Sequence, residues 1–351
     1  MIDDESYKKC RREVSDYISD WFDKQSSEAA VIHKNYERLM RIAGESMQDG
    51  GKYLRPYLVW LGYKYGDKTT SIVPVAAAFE LLHYAFLIHD DIIDGDVRRR
   101  GKLNITGRYI EVYQSITSQA KRKHFAESVA LLAGDICIAG SISMVLDSAF
   151  DPGQQQKALR HLLASMYEVG GGELLDVEAS MGLEDKAPPE TIYRYKTAGY
   201  SMVHPLLVGA ELAGCSNDIR RTLESFGIEL GIAFQLSDDI LGVFGDEKLT
   251  GKSTLSDLRE GKYSYLIAQF ERHANPAQRK KFYTHFGQSN LSEREASLLR
   301  TILDDCGAKQ AAVHAVDEYT ERANQLLALL PRGEASQALQ ELITVLKRRC
   351  A

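Results

Sequence analysis

The chain has 351 residues, of which 44% are apolar and 26% charged, with a formal net charge of -6. That balance suits a globular chain with a large buried core and argues against nucleic-acid binding by general basic charge, so a local cation cluster must serve a local anion. The length allows two domains, but no linker is visible, and a single domain over residues 1–351 is expected. The five cysteines, Cys10, Cys137, Cys215, Cys306 and Cys350, stand at neither metal-ligand nor redox spacing, which points to a reducing, cytoplasmic setting. The N-terminus, Met1-Ile2-Asp3-Asp4-Glu5, shows no signal or transit peptide. No window reaches the roughly 18 uncharged apolar residues of a membrane span.

Apolar residues recur at three and four spacing in most windows, as at Leu159, Leu162, Leu163 and Met166, so the chain reads as all-α. In chain order, the first feature is Gly50-Gly51-Lys52-Tyr53-Leu54-Arg55-Pro56, where two glycines would let backbone approach an anion beside two cations, or merely turn into a helix. An apolar helix follows from Pro74 and ends in Asp90-Asp91-Ile92-Ile93-Asp94. His83, Phe86, Asp90 and Asp94 fall on one helical stripe, with Phe86 about 6 Å below Asp90. Like charges one turn apart repel, and the helix C-terminus adds about half a negative charge of its own, so a hard cation with oxygen ligands is called for. A lone cluster of this kind could equally be a core helix whose charged end reaches solvent, and His83 alone could be a structural histidine. Arg98, Arg99, Arg100 and Gly101 come directly after, with Arg98 expected in solvent.

Loops are expected at Asp151-Pro152-Gly153, at 181–190 and at 286–291, and Ser292 with Glu295 reads as a capping box. Pro56 and Pro205 are expected in first turns or kinks. A second acid-tipped apolar helix ends at Phe234-Gln235-Leu236-Ser237-Asp238-Asp239, followed by Thr250-Gly251-Lys252, Asp257 and Lys262. Two such helices facing each other could hold a polyphosphate through metal ions, with Arg and Lys on its remaining oxygens. The basic run Lys347-Arg348-Arg349 reads either as a solvated tail or as a segment folding over a substrate.

With these motifs in order, the chain resembles the trans-isoprenyl diphosphate synthases, the polyprenyl synthetase family, of the short-chain geranylgeranyl and farnesyl type. The match runs from Gly50 to Lys262: GGKYLRP for GGKRLRP, DDIID with Arg99-Arg100-Gly101, Gly172-Glu173-Leu174-Leu175-Asp176 for GQxxD, the pair Lys196-Thr197, and FQLSDDILG with Thr250-Gly251-Lys252. The resemblance implies a single helical bundle around a central apolar cavity. It implies a prenyltransferase that ionises an allylic diphosphate of C5 to C15, with attack by isopentenyl diphosphate and loss of a proton.

The resemblance further assigns Asp90 and Asp94 to two Mg²⁺ ions and Asp238 to a third. Arg99, Lys196 and Lys252 would hold the allylic diphosphate. Lys52, Arg55, His83 and Arg100 would hold isopentenyl diphosphate, Thr197 and Gln235 would steady the cation, and Lys262 would close over the diphosphates. A homodimer is implied. Ala85 and Phe86 would form the cavity floor, and a single aromatic there favours geranylgeranyl diphosphate (C20) over farnesyl diphosphate (C15). Departures from the pattern are Tyr53 for arginine, Glu173 for glutamine, Leu103 for proline and Gly242 for the last aspartate, for which Asp239 or Asp246 would compensate. The competing readings are a class I terpene cyclase, a non-catalytic partner subunit of a prenyl synthase, and a metal phosphohydrolase using His89 and Asp90.

Overall fold

The computed structural model describes residues 5–66, 69–116, 118–181, 185–245 and 254–350, and helices carry nearly all of them. Two compact units divide them, one formed by 5–63 and 69–160, the other by 64–66 and 161–350.

The first unit contains α1 (Glu5–Ile32), α2 (Lys34–Gln48), α3 (Leu54–Tyr63), α4 (Val73–Ile93), α5 (Ile105–Val112) and α6 (Gln119–Leu146). Pro74 sits in the first turn of α4, where its missing N–H costs nothing. α4 buries Val75, Phe79, Leu81, Leu82, Ala85 and Ile88. A helix apolar on most sides must be central, and α4 packs on α1, α3 and α6. Between α4 and α5 runs a hairpin of β1 (Arg98–Arg99) and β2 (Lys102–Leu103), the one strand pair among the described residues. Its turn residues, Arg100 and Gly101, have φ of 53° and 76°. Left-handed backbone at both central positions matches the twist of a two-residue hairpin, which glycine accepts freely and arginine adopts at a cost.

α6 is, among the described residues, the one helix long and apolar enough to cross a membrane by length and composition, although Asp135 interrupts it and leaves no stretch of about 18 uncharged apolar residues. Helices of buried cores pass the same test, and α6 packs extensively on α4. It also leaves Leu131, Leu132 and Leu146 exposed.

α7 (Pro152–Ser180) begins in the first unit and from His161 belongs to the second, which also contains α8 (Pro189–Tyr193), a π-helical stretch (Arg194–Val203), α9 (His204–Leu212), α10 (Asn217–Phe244), α11 (Ser256–Glu260), α12 (Tyr265–His273), α13 (Pro276–Tyr283), α14 (Glu293–Asp305), α15 (Ala308–Leu327) and α16 (Glu334–Cys350). The stretch Asp151–Gly153 is not the free loop expected from its composition: Pro152 and Gly153 already open α7, and the Asp151 carboxylate accepts the Gln154 N–H at 3.0 Å. The capping box forms as expected, Ser292 Oγ taking the Glu295 N–H and Glu295 taking that of Ser292. Pro56 and Pro205 lie in the first turns of α3 and α9.

The π-helical stretch lies between α7 and α10 because both present glycine to it. A Cβ on Gly172 would stand 2.1 Å from the Lys196 backbone nitrogen, and one on Gly231 would stand 2.4 Å from Ala198 Cβ. Beyond the stretch, Arg220 Nη1 donates to Glu211 Oε1 at 2.8 Å, Glu211 Oε2 meets His161 Nε2 at 3.0 Å, and His161 Nδ1 meets His204 Nδ1 at 3.2 Å. Two ring nitrogens can share a hydrogen only if one is bare, so at least one imidazole is neutral. Burial, helped by His204, holds His161 below the ordinary imidazole value.

Two outcomes follow from this packing. Below about pH 6.5 the unfolded chain takes a proton on His161 that the native state refuses, so the melting temperature should fall with pH there. His161→Gln should flatten part of that fall, and an identical slope would remove His161 as a source. Gly172→Ala pushes a methyl into the backbone at Lys196 and should cost about 1–3 kcal/mol in urea denaturation.

Candidate active site

The carboxylates that end α4 are met by the hairpin that follows. Arg99 Nη2 lies 2.9 Å from Asp90 Oδ2 and 2.7 Å from Asp91 Oδ1, and Arg99 Nε donates to Asp91 Oδ1 at 2.8 Å. Asp91 is buried, whereas Asp94 is the exposed C-cap of the helix. Burial pushes the Asp91 carboxyl up while Arg99 pulls it back. Asp91, which lies off the stripe shared by Asp90 and Asp94, is the anchor of Arg99. Arg98 is exposed as expected, its guanidinium donating to the Gly101 carbonyl.

Below this end lies a cavity of about 60 Å³, whose lining includes Gly50, Gly51, Glu80, His83, Arg99 and Arg100. Three separate motifs thus meet at one space. Arg100 Nη1 reaches within 3.7 Å of where a Cβ on Gly50 would be. Lys52 and Arg55 are not among the lining residues; the Lys52 carbonyl accepts the Tyr7 hydroxyl at 2.6 Å, and Arg55 acts on Glu80 and His83 by charge. Burial, with Arg55, Arg99 and Arg100 around it, holds His83 well below the ordinary imidazole range, so the ring is neutral. Burial raises the Glu80 carboxyl to about 7 against the pull of Arg55 and Arg100. Glu80 escaped notice in the sequence, although an acid three residues before His83 in an apolar helix was its signal. Tyr53, which departs from the family pattern, is buried with left-handed backbone, its hydroxyl 3.5 Å from Ser15 Oγ and Arg11 over its ring. Ala85 is fully buried and Phe86 partly so. His89 turns to α6, 3.4 Å from the Leu131 carbonyl and 3.6 Å from Asp135, which removes the His89-Asp90 metal pair.

In the second unit Lys196 Nζ lies 2.9 Å from Glu173 Oε2 and 2.5 Å from Asp176 Oδ2. Burial alone would lower this lysine, but the carboxylates of Asp176 and Glu173 outweigh it and hold it above its ordinary value. Glu173, where the family has glutamine, therefore adds a second negative partner. Thr197 Oγ1 donates to Gln235 Oε1 at 2.7 Å, and Gln235 Nε2 donates to Asp239 Oδ1 at 2.9 Å. The buried Asp239 also accepts the Tyr193 hydroxyl, which in turn accepts the Tyr265 N–H at 2.7 Å, and Lys262 Nζ stands 3.6 Å away. Burial pushes Asp239 up and Lys262 opposes it.

Asp239, expected to compensate through water for the aspartate missing at Gly242, is hydrogen-bonded to Tyr193 and Gln235 and faces Lys262. The other candidate, Asp246, lies outside the described residues, as do Thr250, Gly251 and Lys252. At Gly242 itself, a Cβ would stand 2.3 Å from Asp257 Oδ2. Asp238 is a third exposed, and its Oδ1 lies 3.4 Å from Arg349 Nη1, whose guanidinium also stands 6.0 Å from the Phe234 ring. The basic C-terminal run is therefore the last turn of α16, and through Arg349 it meets the second acidic motif; it is not a free tail.

Oxygen donors only, on helix ends that already carry negative charge, suit a hard divalent ion such as Mg²⁺. The fit is clearest where Gly242 leaves a space that a carboxylate fills. Asp90, Asp94 and Asp238 are the residues that would hold such ions.

Comparison with known proteins agrees with these motifs. Residues 36–303 match the sequence model of the Polyprenyl synthetase family. A short chain isoprenyl diphosphate synthase of Methanocaldococcus jannaschii is 31% identical over 247 residues, 70% of each chain. A geranylfarnesyl diphosphate synthase of Aeropyrum pernix is 30% identical over 317 residues, 87% of this chain and 92% of the relative. The crystal structure of a geranylgeranyl pyrophosphate synthase from Corynebacterium glutamicum, complexed with isoprenyl diphosphate and magnesium, superposes with a TM-score of 0.91 at 28% identity, covering 98% of this chain and 99% of the other. Motif order, all-α architecture and these likenesses converge: the chain belongs to the polyprenyl synthetase family.

Proposed function

We propose that this protein is a trans-prenyltransferase that condenses isopentenyl diphosphate with an allylic diphosphate to a short-chain prenyl diphosphate, geranylgeranyl diphosphate first and farnesyl diphosphate next. The observation that carries the reading is the convergence of Gly50-Gly51, His83 and Arg100 on one cavity directly below the Asp90–Arg99 pair. A neutral His83 can donate a hydrogen bond to a diphosphate oxygen without adding a third charge to two arginines, while Arg100 supplies the attraction. Lys52 and Arg55, which do not line the cavity, are assigned to this isopentenyl diphosphate site by their place in the motif.

Arg99, Lys196 and Lys252 bind the allylic diphosphate. Asp90, Asp94 and Asp238 would hold Mg²⁺, three ions with substrate bound, which would supply Lewis acidity for the departing diphosphate. The Thr197–Gln235 pair presents oxygen dipoles that steady positive charge on the allyl group, and its hydrogen bond to Asp239 fixes the orientation of Gln235. Lys262 closes over the diphosphates. Apolar walls around Ala85 and Phe86 exclude water from the cation, and Phe86 limits chain growth.

The family match crosses both compact units, which supports reading residues 1–351 as one functional domain. Exposed Leu131, Leu132 and Leu146 on α6 support a homodimer. Four described cysteines, Cys10, Cys137, Cys215 and Cys306, are unbridged, in keeping with a reducing cytoplasm. The carboxylates of Asp90, Asp94 and Asp238 favour this reading over a non-catalytic partner, and GGKYLRP with RRG favours it over a terpene cyclase.

Incubation with isopentenyl diphosphate, each allylic primer and Mg²⁺ should give products ending at C20 by chromatography. No elongation from any primer would refute the reading. Phe86→Ala should shift products beyond the wild-type length; an unchanged distribution would show that the stop lies elsewhere.

A further inference from the structure

α4 buries apolar side chains along most of its length, yet it also buries a glutamate, Glu80, which is 6% exposed and stands three residues before His83. A carboxylate in such a place is ordinarily met by hydrogen-bond donors. Among the described residues Glu80 Oε2 accepts no hydrogen bond. The other oxygen, Oε1, lies 3.5 Å from where a Cβ on Gly51 would stand, and Glu80 lines the same cavity as Gly50, Gly51, His83, Arg99 and Arg100. The unmet oxygen thus belongs to a wall of the space in which a diphosphate is proposed to bind.

The groups facing Glu80 come from several segments. Burial raises its carboxyl to about 7, against Arg55 of α3 and Arg100 of the hairpin. Tyr7 of α1 and Tyr53 ahead of α3 feel its charge, and burial raises both phenols, so neither ionises near neutrality. On α4 itself, burial keeps His83 neutral. The titratable groups that α6 sets against α4, Cys137 and Asp135, act on Tyr84 and His89 instead. Arginine keeps its charge throughout, so within this group Glu80 alone changes charge near pH 7.

An ionised carboxylate in that wall repels a diphosphate and competes with it for Arg55 and Arg100. A carboxylic acid does neither, and it offers an O–H donor. We infer that Glu80 binds isopentenyl diphosphate as a carboxylic acid, donating a hydrogen bond to a diphosphate oxygen, so that the anion enters the cavity together with a proton. The proton comes from solvent and returns to it when the anion leaves. Three residues apart on α4, Glu80 and His83 then act as two uncharged donors between arginines. This rests on reading the cavity as the isopentenyl diphosphate site. It makes affinity fully present below about pH 7 and progressively lost as pH rises above it.

The test is calorimetric titration with isopentenyl diphosphate, without primer or Mg²⁺, in buffers of different ionisation enthalpy, which counts the protons taken up. Inorganic diphosphate is titrated alongside. Diphosphate itself titrates near this range, so the comparison that decides is with Glu80→Gln, whose amide keeps a donor and cannot ionise. At pH 8 wild type should take up about one proton more than Glu80→Gln, and at pH 6 the difference should shrink toward zero. Between those values wild-type affinity should fall relative to the variant by up to about tenfold per pH unit. Glu80→Ala, which removes the donor, should bind about tenfold more weakly than wild type at pH 6.

Equal proton uptake in wild type and Glu80→Gln would overturn the proposal. So would a Glu80→Gln protein weakened equally at pH 6 and pH 8, because Glu80 would then act as an anion that holds the two arginines. If Glu80→Gln does not fold, infrared difference spectra of wild type at pH 8 decide: isopentenyl diphosphate should bring up the band of a protonated carboxyl, and its absence would overturn the proposal. A wild type that takes up the Glu80 proton with inorganic diphosphate, yet elongates no primer once Mg²⁺ is supplied, would sink the prenyltransferase reading and leave the proton-linked anion site standing.

Discussion

Negative charge gathered at the ends of apolar helices has to be answered by positive charge from neighbouring segments, and most of the site can be traced to that requirement. Asp90 and Asp91 are answered by Arg99, Glu173 and Asp176 by Lys196, Asp239 by Lys262, and Asp238 by Arg349. Each pair is at least partly shielded from water, where attraction outweighs what an exposed pair supplies. Three of the cations in the proposed diphosphate sites, Arg99, Lys196 and Lys262, are among those that neutralise these acids. On the proposed function, substrate and metal binding would be an exchange of partners, with diphosphate meeting cations such as Arg99 and Lys196 and the carboxylates turning to Mg²⁺. The site avoids leaving like charges bare in either state.

That exchange requires the cations to be held in known places. The RRG segment achieves this by folding back on itself as a two-residue hairpin, which aims Arg99 at the helix end and Arg100 at the cavity beneath it. Lys196 is placed differently. It rides on a π-helical stretch packed backbone-close to Gly172, directly before the Glu173 and Asp176 that bind it. Glycine, acid and lysine thus form one contact, which gives the Gly-x-x-x-Asp spacing a steric as well as an electrostatic reason.

What could be read from the sequence was whatever depends on local spacing. The helices, the DDIID stripe, the capping box at Ser292 and the first-turn prolines follow from periods of three and four and from proline chemistry. The meeting of Arg349 with Asp238 joins side chains 111 residues apart, and no local pattern announces it. Composition misled at Asp151–Gly153, where Asp-Pro-Gly looks like a turn but caps α7. At Gly242, adjacency in sequence suggests Asp239 as the substitute, and that residue is hydrogen-bonded to Tyr193 and Gln235.

The π-helical stretch from Arg194 to Val203 bears on how such chains can vary. Its wider turn accommodates more backbone over a given length than an α-helix, and the chain passes from it directly into α9. Removing one residue within it would swing every side chain beyond the deletion by about 100°, one residue's share of an α-turn. A shift after Thr197 would leave Lys196 in register with its carboxylates but misalign the apolar face packed on α10. A shift before Lys196 would part the lysine from Glu173 and Asp176. Insertions and deletions in this ten-residue window should therefore be selected against even where the amino-acid types drift.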